Sequence, residues 1–258
     1  MNVINLTYTF NTRDLGGMKT IEGKVIKDNC LIRSGVLKKL SDKDIELLKS
    51  HNLKTIIDFR SEKEFVERPD VKIDGVTYLN FPALKKNNLP KKKENDHYDS
   101  NLLQLVDKDE GGMKLLLSTY HDLVTSEEGI KAYQNFFKAL LDYEGAFLWH
   151  CSQGKDRAGL AAFFLLYILG VPFEECVKDY LHTNIAMKLK IQELTPIILK
   201  MSNNDTSLLP ILKDVFEAKI EYLNESINTI NLTYGSLDNF IINVLKADVG
   251  KLKEKFLD

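Results

Sequence analysis

Cysteine is scarce in this sequence, and the patterns that give cysteine a structural role are missing. The 258 residues contain three cysteines, Cys30, Cys151 and Cys176, which are far apart and fall in no paired motif. An odd number at such spacing argues against a disulfide scaffold and against a zinc site. We therefore expect reduced thiols, and neither a metal nor another cofactor.

An excess of charge and a long apolar run are lacking as well. Lys and Arg number 35 against 37 Asp and Glu, a net charge of −2, so nucleic acid is not predicted as a partner. No stretch reaches the roughly 18 apolar residues that a membrane span needs. The opening MNVINLTYTFNTRD lacks a basic start followed by an apolar core. We predict no transmembrane segment and a cytoplasmic location, with secretion without a cleaved signal and the oligomeric state left open.

Strand and helix signals alternate over the first two thirds of the chain, which predicts an α/β fold. The stretches LIRSG, LKTIIDF and VTYLNF, at 31–35, 53–59 and 76–81, have strand character. Ser41 and Asp44 form a capping box ahead of a helix. At this length, with 44% hydrophobic residues, the chain can bury one sizeable core, and we expect residues 1–258 to form a single domain.

The second half of the chain has mainly helical patterns. Thr125 with Glu128 is predicted to open a helix, and further helices are expected over 172–186, 187–201, 210–229 and 236–247. Residues 85–112 form the main irregular insertion, with five lysines. Such a run favours a solvated loop, and the alternative is attraction of an anionic head group.

The segment LWHCSQGKDRAG, residues 148–159, places charged residues between an apolar strand and an apolar helix. The thiolate is the nucleophilic form of cysteine, and an unperturbed thiol with a pKa of about 8.5 is mostly neutral. If residues 152–157 curl so that their N–H groups converge, with Gly154 permitting the turn and the next helix adding its positive end, the loop binds an oxyanion. The same donors would hold Cys151 as its thiolate.

Arg157 completes this loop. Its planar guanidinium can donate two bonds to two oxygens of a phosphoryl group, which a lysine cannot reproduce. A thiolate on one side of phosphorus and a leaving oxygen opposite would give a cysteinyl phosphate, which water then hydrolyses. These residues require no metal.

The segment HCSQGKDRAG resembles the signature of cysteine-dependent protein tyrosine phosphatases, and more narrowly the bacterial tyrosine and lipid phosphatase family, whose loop typically reads HCxxGKDRTG. Other segments agree with that family: NTRDLGG at 11–17, LIRSGVL at 31–37, IIDFRSEKE at 56–64, DYLHTN at 179–184 and TYGSL at 233–237. The resemblance implies a protein tyrosine phosphatase-like fold, with a mostly parallel central sheet flanked by helices and extra C-terminal helices. It also implies a phosphatase that acts on phosphotyrosine, with phosphoinositides or other phosphoesters as further candidate substrates, and it leaves the choice between protein and lipid open.

The resemblance assigns roles to individual residues. Cys151 is the nucleophile and Arg157 holds the phosphoryl oxygens. Phosphate or substrate binding is expected from Ser152, Gln153, Gly154, Lys155, Ala158, Arg13, Asp14 and Arg60. For Arg13, Asp14, Asp58 and Arg60 the alternative is a set of buried ion pairs that support the loop, and Lys155 either adds charge to the pocket or faces solvent. His150 is expected to orient the loop.

Two positions depart from the family pattern. Ala158 stands where a threonine or serine usually follows the arginine, and that hydroxyl would help the sulfur leave in the second step. Ala83 stands where related proteins often carry an aspartate as general acid. Asp156 is therefore predicted to be the acid, as in inositide phosphatases that place it in the loop, with activity highest at mildly acidic pH. The alternative is that Asp156 only pairs with a cation such as Lys155.

The sequence allows alternatives for the segment 187–212 and for the reaction that the loop carries out. In the family a helical segment after DYL forms a lid, and residues 187–212 occupy that place here, although they could also be an ordinary helix pair. Sulfurtransferases and arsenate reductases use similar loops, and a pseudophosphatase would bind phosphate without turnover. The lysine, the aspartate and the flanking motifs favour a phosphatase.

Overall fold

The computed structural model describes residues 2–84 and 111–258. The predicted insertion at 85–112 lies outside the described residues except for Gly111 and Gly112, which begin a helix. Among the described residues, no helix is both long enough and apolar enough to cross a membrane.

The sheet is mixed, and its centre is parallel. The strands are β1 (Asn2–Val3), β2 (Arg13–Asp14), β3 (Leu31–Ser34), β4 (Leu53–Asp58), β5 (Thr77–Asn80) and β6 (Ala146–His150). They lie in the order β1-β2-β3-β6-β4-β5, antiparallel from β1 to β3 and parallel from β3 to β5. The predicted strand segments and the mostly parallel sheet are confirmed.

The helices follow the strands in the order expected for an α/β fold. They are α1 (Asp42–Ser50), α2 (Glu62–Glu67), α3 (Gly111–Thr125), α4 (Glu127–Asp142), α5 (Arg157–Leu169), α6 (Phe173–Met201), α7 (Leu208–Phe216), α8 (Ile220–Tyr234) and α9 (Val249–Phe256). A short helical segment, Leu237–Asn239, runs into a π-helix at Phe240–Val244 before α9. The extra C-terminal helices are thus present as predicted.

Strand β6 lies between β3 and β4 and is fully buried, because both faces of the sheet are covered. Phe147 and Trp149 point into the larger apolar cluster, with the helices α3 to α5, whereas Leu148 belongs to the cluster on the α1 side. This alternation is what a strand buried on both faces requires. It fixes the position of the residue that follows β6, Cys151.

Some predicted helix boundaries were wrong. Helix α4 is capped by Ser126, whose hydroxyl accepts from Gly129 N at 3.1 Å, because Thr125 is still the last residue of α3. The predicted helices 172–186 and 187–201 are one continuous helix, α6. The predicted helix 210–229 is interrupted near Ala218, whose backbone N–H and C=O both bond the side chain of Asn184 and so leave the helical pattern.

A third apolar cluster lies apart from the two that pack on the sheet. It joins the second half of α6 to α7 through six buried side chains: Met187, Leu194, Ile198, Leu208, Leu212 and Phe216. The segment 187–212, for which a lid was considered, therefore has a small core of its own.

Candidate active site

Cys151 lies directly after the central parallel strand, and Arg157 opens the helix α5 that follows. The residue Cys151 is 1% exposed. In α/β proteins, ligands bind at the carboxyl ends of parallel strands, where such strand-to-helix turns are found. The loop of residues 151–157 occupies that position.

The carbonyl groups of the loop are held by donors from neighbouring elements. Arg33 donates to Gly154 O at 3.0 Å and to Lys155 O at 3.2 Å, and Asn11 Nδ2 donates to Gln153 O at 3.0 Å. Val36 N donates to Ser152 O at 3.4 Å. In a planar trans peptide the next N–H points opposite to the carbonyl. The N–H groups of residues 153–156 therefore turn away from these donors, as a nest for an anion requires.

Gly154 is required by this backbone path. Its φ is +66°, in the left-handed region that favours glycine, and a Cβ here would lie 2.3 Å from Ser34 O. The turn predicted at Gly154 is therefore one that a larger residue could not adopt without moving β3.

The guanidinium of Arg157 is held by Glu64 of α2. Arg157 Nη1 donates to Oε2 at 2.7 Å and Nη2 donates to Oε1 at 3.1 Å. Ser152 Oγ also donates to Glu64 Oε1, at 2.6 Å. Glu64 is the last residue of the IIDFRSEKE segment, and no role was predicted for it from the sequence.

The same carboxylate belongs to the capping box of α2. The backbone N–H of Ser61 donates to Glu64 Oε2 at 3.1 Å, and Glu64 N donates to Ser61 Oγ at 3.3 Å. Burial raises the pKa of Glu64, but Arg157 and the hydroxyl of Ser152 lower it more, so the pKa of Glu64 is well below its usual range. Burial lowers the pKa of Arg157, and Glu64 and Cys151 raise it further than that, so both groups stay charged.

A buried ion cluster ties the loop to helix α6. Asp179 Oδ1 accepts from Arg13 Nε and Oδ2 accepts from Arg33 Nη1, both at 2.6 Å. Burial, and then the neighbouring charge of Arg13, lower the pKa of Arg33 to about 10. Arg13 thus supports the loop through Asp179, and its three side-chain nitrogens are bonded to Asp179 and Asn11.

Asp14 and Arg60, also predicted near the substrate, lie in buried networks. Asp14 accepts from the backbone of Gly16 at 3.0 Å and of Asn29 at 2.7 Å. Arg60 pairs with Asp58 at 2.7 Å and with Asp70 at 3.0 Å. Arg60 thus makes buried ion pairs, whereas Asp14 bonds backbone N–H groups outside the loop.

His150 borders the same network. Its Nε2 lies 2.9 Å from Asp70 Oδ2, poorly aligned for a hydrogen bond, and its Nδ1 lies 3.2 Å from Cys151 O. Burial lowers the pKa of His150, but Asp58 and Asp70 raise it more, so the net shift is upward. Although atoms of Asp58, Asp70 and His150 are close enough together to ligate a metal, the Arg60 guanidinium already supplies the positive charge there.

Lys155 does not face solvent, and its ammonium group lies 3.2 Å from Asp156 of the loop. Its side chain is fully buried, and Nζ donates to Val215 O at 2.6 Å and to Glu217 O at 3.2 Å. These carbonyls lie at the C-terminal end of α7, which attracts a cation. Lys155 therefore neither faces solvent nor projects freely into the loop, but joins the loop to α7.

Asp156 is partly exposed and lies between the loop and α3. Its Oδ1 accepts from the hydroxyl of Tyr120 at 2.7 Å and lies 3.2 Å from Lys155 Nζ. The pairing with Lys155, given as an alternative role, is therefore present, and it does not exclude transfer of a proton from the other oxygen.

The two departures from the family pattern are both buried alanines. Ala158, in the first turn of α5, is inaccessible, and its carbonyl accepts from Trp149 Nε1 at 3.1 Å. Ala83 is also inaccessible, and its N–H donates to Phe59 O at 3.2 Å. Neither side chain can supply a hydroxyl or a proton.

Several known proteins are similar to this chain. A family model described as "Tyrosine phosphatase family" matches residues 4–258. A protein of Cupriavidus necator named as a tyrosine-protein phosphatase is 27% identical over 248 residues, covering 96% of this chain and 85% of the relative. The triple specificity protein phosphatase PtpB of Mycobacterium tuberculosis is 23% identical over 281 residues, covering 98% of each. Of the solved structures, TpbA of P. aeruginosa overlaps 62% of this chain and 72% of its own, at 19% identity and a TM-score of 0.32.

The family match spans nearly the whole chain, including the loop from Cys151 to Arg157 and the segments that hold it. It agrees with the resemblance found in the sequence. The chain belongs to the tyrosine phosphatase family.

Proposed function

We propose that this protein hydrolyses phosphotyrosine, and also phosphoinositides or other phosphomonoesters, through a cysteinyl phosphate formed on Cys151. The observation that carries the proposal is the row of loop carbonyls held from outside, from Ser152 to Lys155, which leaves the N–H groups for an oxyanion. Preorganised donors of this kind stabilise developing negative charge without rearranging during the reaction.

Arg157 has donors left for the phosphoryl group. The two bonds to Glu64 run end-on, one from each η nitrogen. A guanidinium carries five N–H donors, so Nε and the remaining η hydrogens can bind two phosphoryl oxygens in a second fork. Glu64 fixes the plane of the guanidinium in which that second fork lies.

The chemistry then follows in two steps. The Cys151 thiolate attacks phosphorus, an S–P bond forms, and the P–O bond breaks with its electron pair going to the leaving oxygen, which takes a proton from Asp156. Water then attacks phosphorus and gives a proton to Asp156, and the S–P bond breaks with its pair returning to sulfur. Phosphate leaves, and the enzyme is restored.

The breadth of substrates rests on family membership and on one relative. PtpB, similar over the whole chain, is named a triple specificity phosphatase, which supports a range wider than phosphotyrosine. A pseudophosphatase is disfavoured because Cys151 and Arg157 are both in place. Sulfur transfer or arsenate reduction on this loop is disfavoured by the family match.

The same proposal includes the organisation of the chain. Residues 1–258 form one domain, and residues 187–212 act as a lid whose apolar face shields the thiolate from oxidation. Two observations support this role: the segment has an apolar cluster of its own, and Lys155 of the loop donates hydrogen bonds to carbonyl groups at the end of α7. A cytoplasmic location agrees with the free cysteines of the described residues.

The proposal is tested by phosphate release from phosphotyrosine peptides and phosphoinositides, measured from acidic to neutral pH. We expect activity on both classes that is highest at mildly acidic pH, inhibited by vanadate and unchanged by chelators. Cys151→Ser should lose turnover. Cys176→Ser should keep it, because Cys176 is a buried cysteine of α6 and lies outside the loop. Turnover in Cys151→Ser would reject the mechanism, and activity on one class alone would narrow the substrate assignment.

A further inference from the structure

Asp156 occupies an unusual position for an aspartate at the start of a helix. It is the N-cap residue of α5, yet its side chain makes no capping hydrogen bond to the helix. Aspartate at an N-cap normally accepts from the backbone N–H two or three residues on, a contact that stabilises the helix. Here the carboxylate gives up that contact and bonds elsewhere.

The bonds that Asp156 makes instead fall on one oxygen. The Tyr120 hydroxyl donates to Oδ1 at 2.7 Å, and Lys155 Nζ lies 3.2 Å from the same atom. Because Oδ1 receives both contacts, a proton on the carboxyl group belongs on Oδ2. Two contacts on one oxygen also fix the plane of the group, and so the direction in which Oδ2 points.

Tyr120 is itself rigidly held. Its side chain is fully buried in α3, its hydroxyl lies 2.6 Å from that of Tyr180, and its carbonyl accepts from Ser226 Oγ at 2.7 Å. The ring of Tyr120 also meets that of Tyr180 edge to face, at 6.3 Å and 87°. Since Tyr120 gives its hydroxyl proton to Asp156, Tyr180 donates to Tyr120, and the three groups form a directed chain.

The direction of this chain is maintained over the working pH range. Burial, and then the charge of Asp156, raise the pKa of Tyr120 well above its ordinary value. Burial does the same for the pKa of Tyr180. Both hydroxyls therefore keep their protons at acidic and neutral pH and are able to donate.

We propose that Tyr120 is the positioning residue for the proton donor Asp156, holding Oδ1 so that Oδ2 is presented to the leaving oxygen. This inference rests on the proposed function, in which Asp156 is the general acid. Tyr120 comes from α3, and none of the sequence segments that carry the family resemblance contains it. Its role follows from contacts across 36 positions of the chain.

The test compares substrates whose leaving groups do and do not need a proton. For Tyr120→Phe we expect kcat/KM to fall about tenfold to a hundredfold with phenyl phosphate, the range for losing a hydrogen bond to a charged group. With dinitrophenyl phosphate, whose leaving group departs as an anion, we expect a fall of less than about twofold. Tyr234→Phe is the matched control, because that hydroxyl braces the same helix by donating to Val124 O at 3.1 Å. It should leave both values unchanged.

A double variant separates this inference from the function on which it rests. If Tyr120 acts through Asp156, Tyr120→Phe has no further effect once Asp156→Asn is present. An equal loss with both substrates, or additive losses in the double variant, overturns the role of Tyr120 and leaves the general acid in place. If Asp156→Asn alone keeps its rate on phenyl phosphate, the acid assignment fails, and the positioning role fails with it.

Discussion

Glu64 is the residue on which the orientation of the Arg157 guanidinium depends. It accepts from both η nitrogens and from Ser152 Oγ, and the charge of Arg157 lowers its pKa well below the usual range of a glutamate. For Glu64→Gln we expect kcat/KM to fall about tenfold to a hundredfold, because a neutral amide forms weaker bonds and cannot accept both η donors. Phosphatase assays on phosphotyrosine peptides measure this.

Glu62 provides the control for that variant. It is an exposed glutamate in the same helix, two residues earlier. Glu62→Gln should keep wild-type activity, since surface substitutions away from buried networks have small effects. If Glu64→Gln matched Glu62→Gln in activity, the guanidinium would not need Glu64 to hold its plane.

Ala158 bears on the second chemical step. Since it replaces a hydroxyl residue that would assist departure of the sulfur, Ala158→Thr should speed hydrolysis of the phosphoenzyme. In stopped-flow measurements with an excess of dinitrophenyl phosphate, the wild type should show a burst of phenol followed by a slower steady state. The variant should show a faster steady state and a smaller burst. An unchanged steady-state rate would show that the hydroxyl has no role here.

Residues differ in how far the sequence could predict them. Cys151, Arg157 and Gly154 follow from one short segment, because adjacent residues share one loop and its chemistry is local. Glu64 lies 93 positions from Arg157, and no spacing rule connects them before the sheet brings α2 to the loop. For Lys155 the sequence indicated a positive charge in the loop, but it could not predict the orientation of the side chain. Sequence alone does not determine toward which side of a loop a side chain points.

At the scale of elements, the network around His150 joins β4, β6 and the segment after α2, and it responds to pH. The pKa of His150 is raised, so in the folded protein it keeps its proton above the unfolded value of about 6.5. Its contribution to stability is therefore fully present below about pH 6.5 and is lost as the pH rises through the folded pKa. The pKa of Asp70 is lowered, so its contribution to stability is fully present above the unfolded value of about 3.9 and is lost as the pH falls through the folded pKa.

This gives a prediction for urea unfolding. The free energy of unfolding should fall as the pH is raised above about 6.5, and His150→Asn should remove that dependence because asparagine does not titrate in this range. Parallel slopes for the two proteins over this range would mean that His150 does not carry the coupling.

Element boundaries were predicted best where local chemistry sets them. Ser41 and Asp44 form the predicted capping box, and α5 ends at Gly170 with φ of +92°. The break between α7 and α8 could not be predicted, because it depends on the amide of Asn184, a residue of α6 that lies 34 positions away. Propensity alone would continue the helix through Ala218.

At the scale of the whole molecule, the three apolar clusters predict unequal local stability. The sheet and its helices share two clusters, whereas the second half of α6 and α7 share a third cluster of six buried residues, and Val215 of α7 also packs against the largest one. In native-state hydrogen exchange we expect amides of 187–212 to exchange through local opening, at a lower free energy than those of β3 and β6. Equal opening energies would contradict a lid that moves independently of the sheet.

The class of fold was predictable because alternating strand and helix signals have few architectural solutions. What the alternation could not show is how the molecule supports its loop. Arg13 and Arg33 come from the neighbouring strands β2 and β3, and Asp179 comes from α6. Only the assembled structure brings the three side chains together.

Detection of a phosphoryl group bound to the sulfur of Cys151 tests the covalent mechanism directly. The protein is mixed with excess phosphotyrosine peptide, quenched in denaturant within a turnover, digested, and analysed by mass spectrometry. We predict one phosphoryl group on Cys151 and none on Cys30 or Cys176, and no modified peptide from Cys151→Ser. Turnover with no phosphoryl group on Cys151 at any quench time, or turnover that persists in Cys151→Ser, would contradict it.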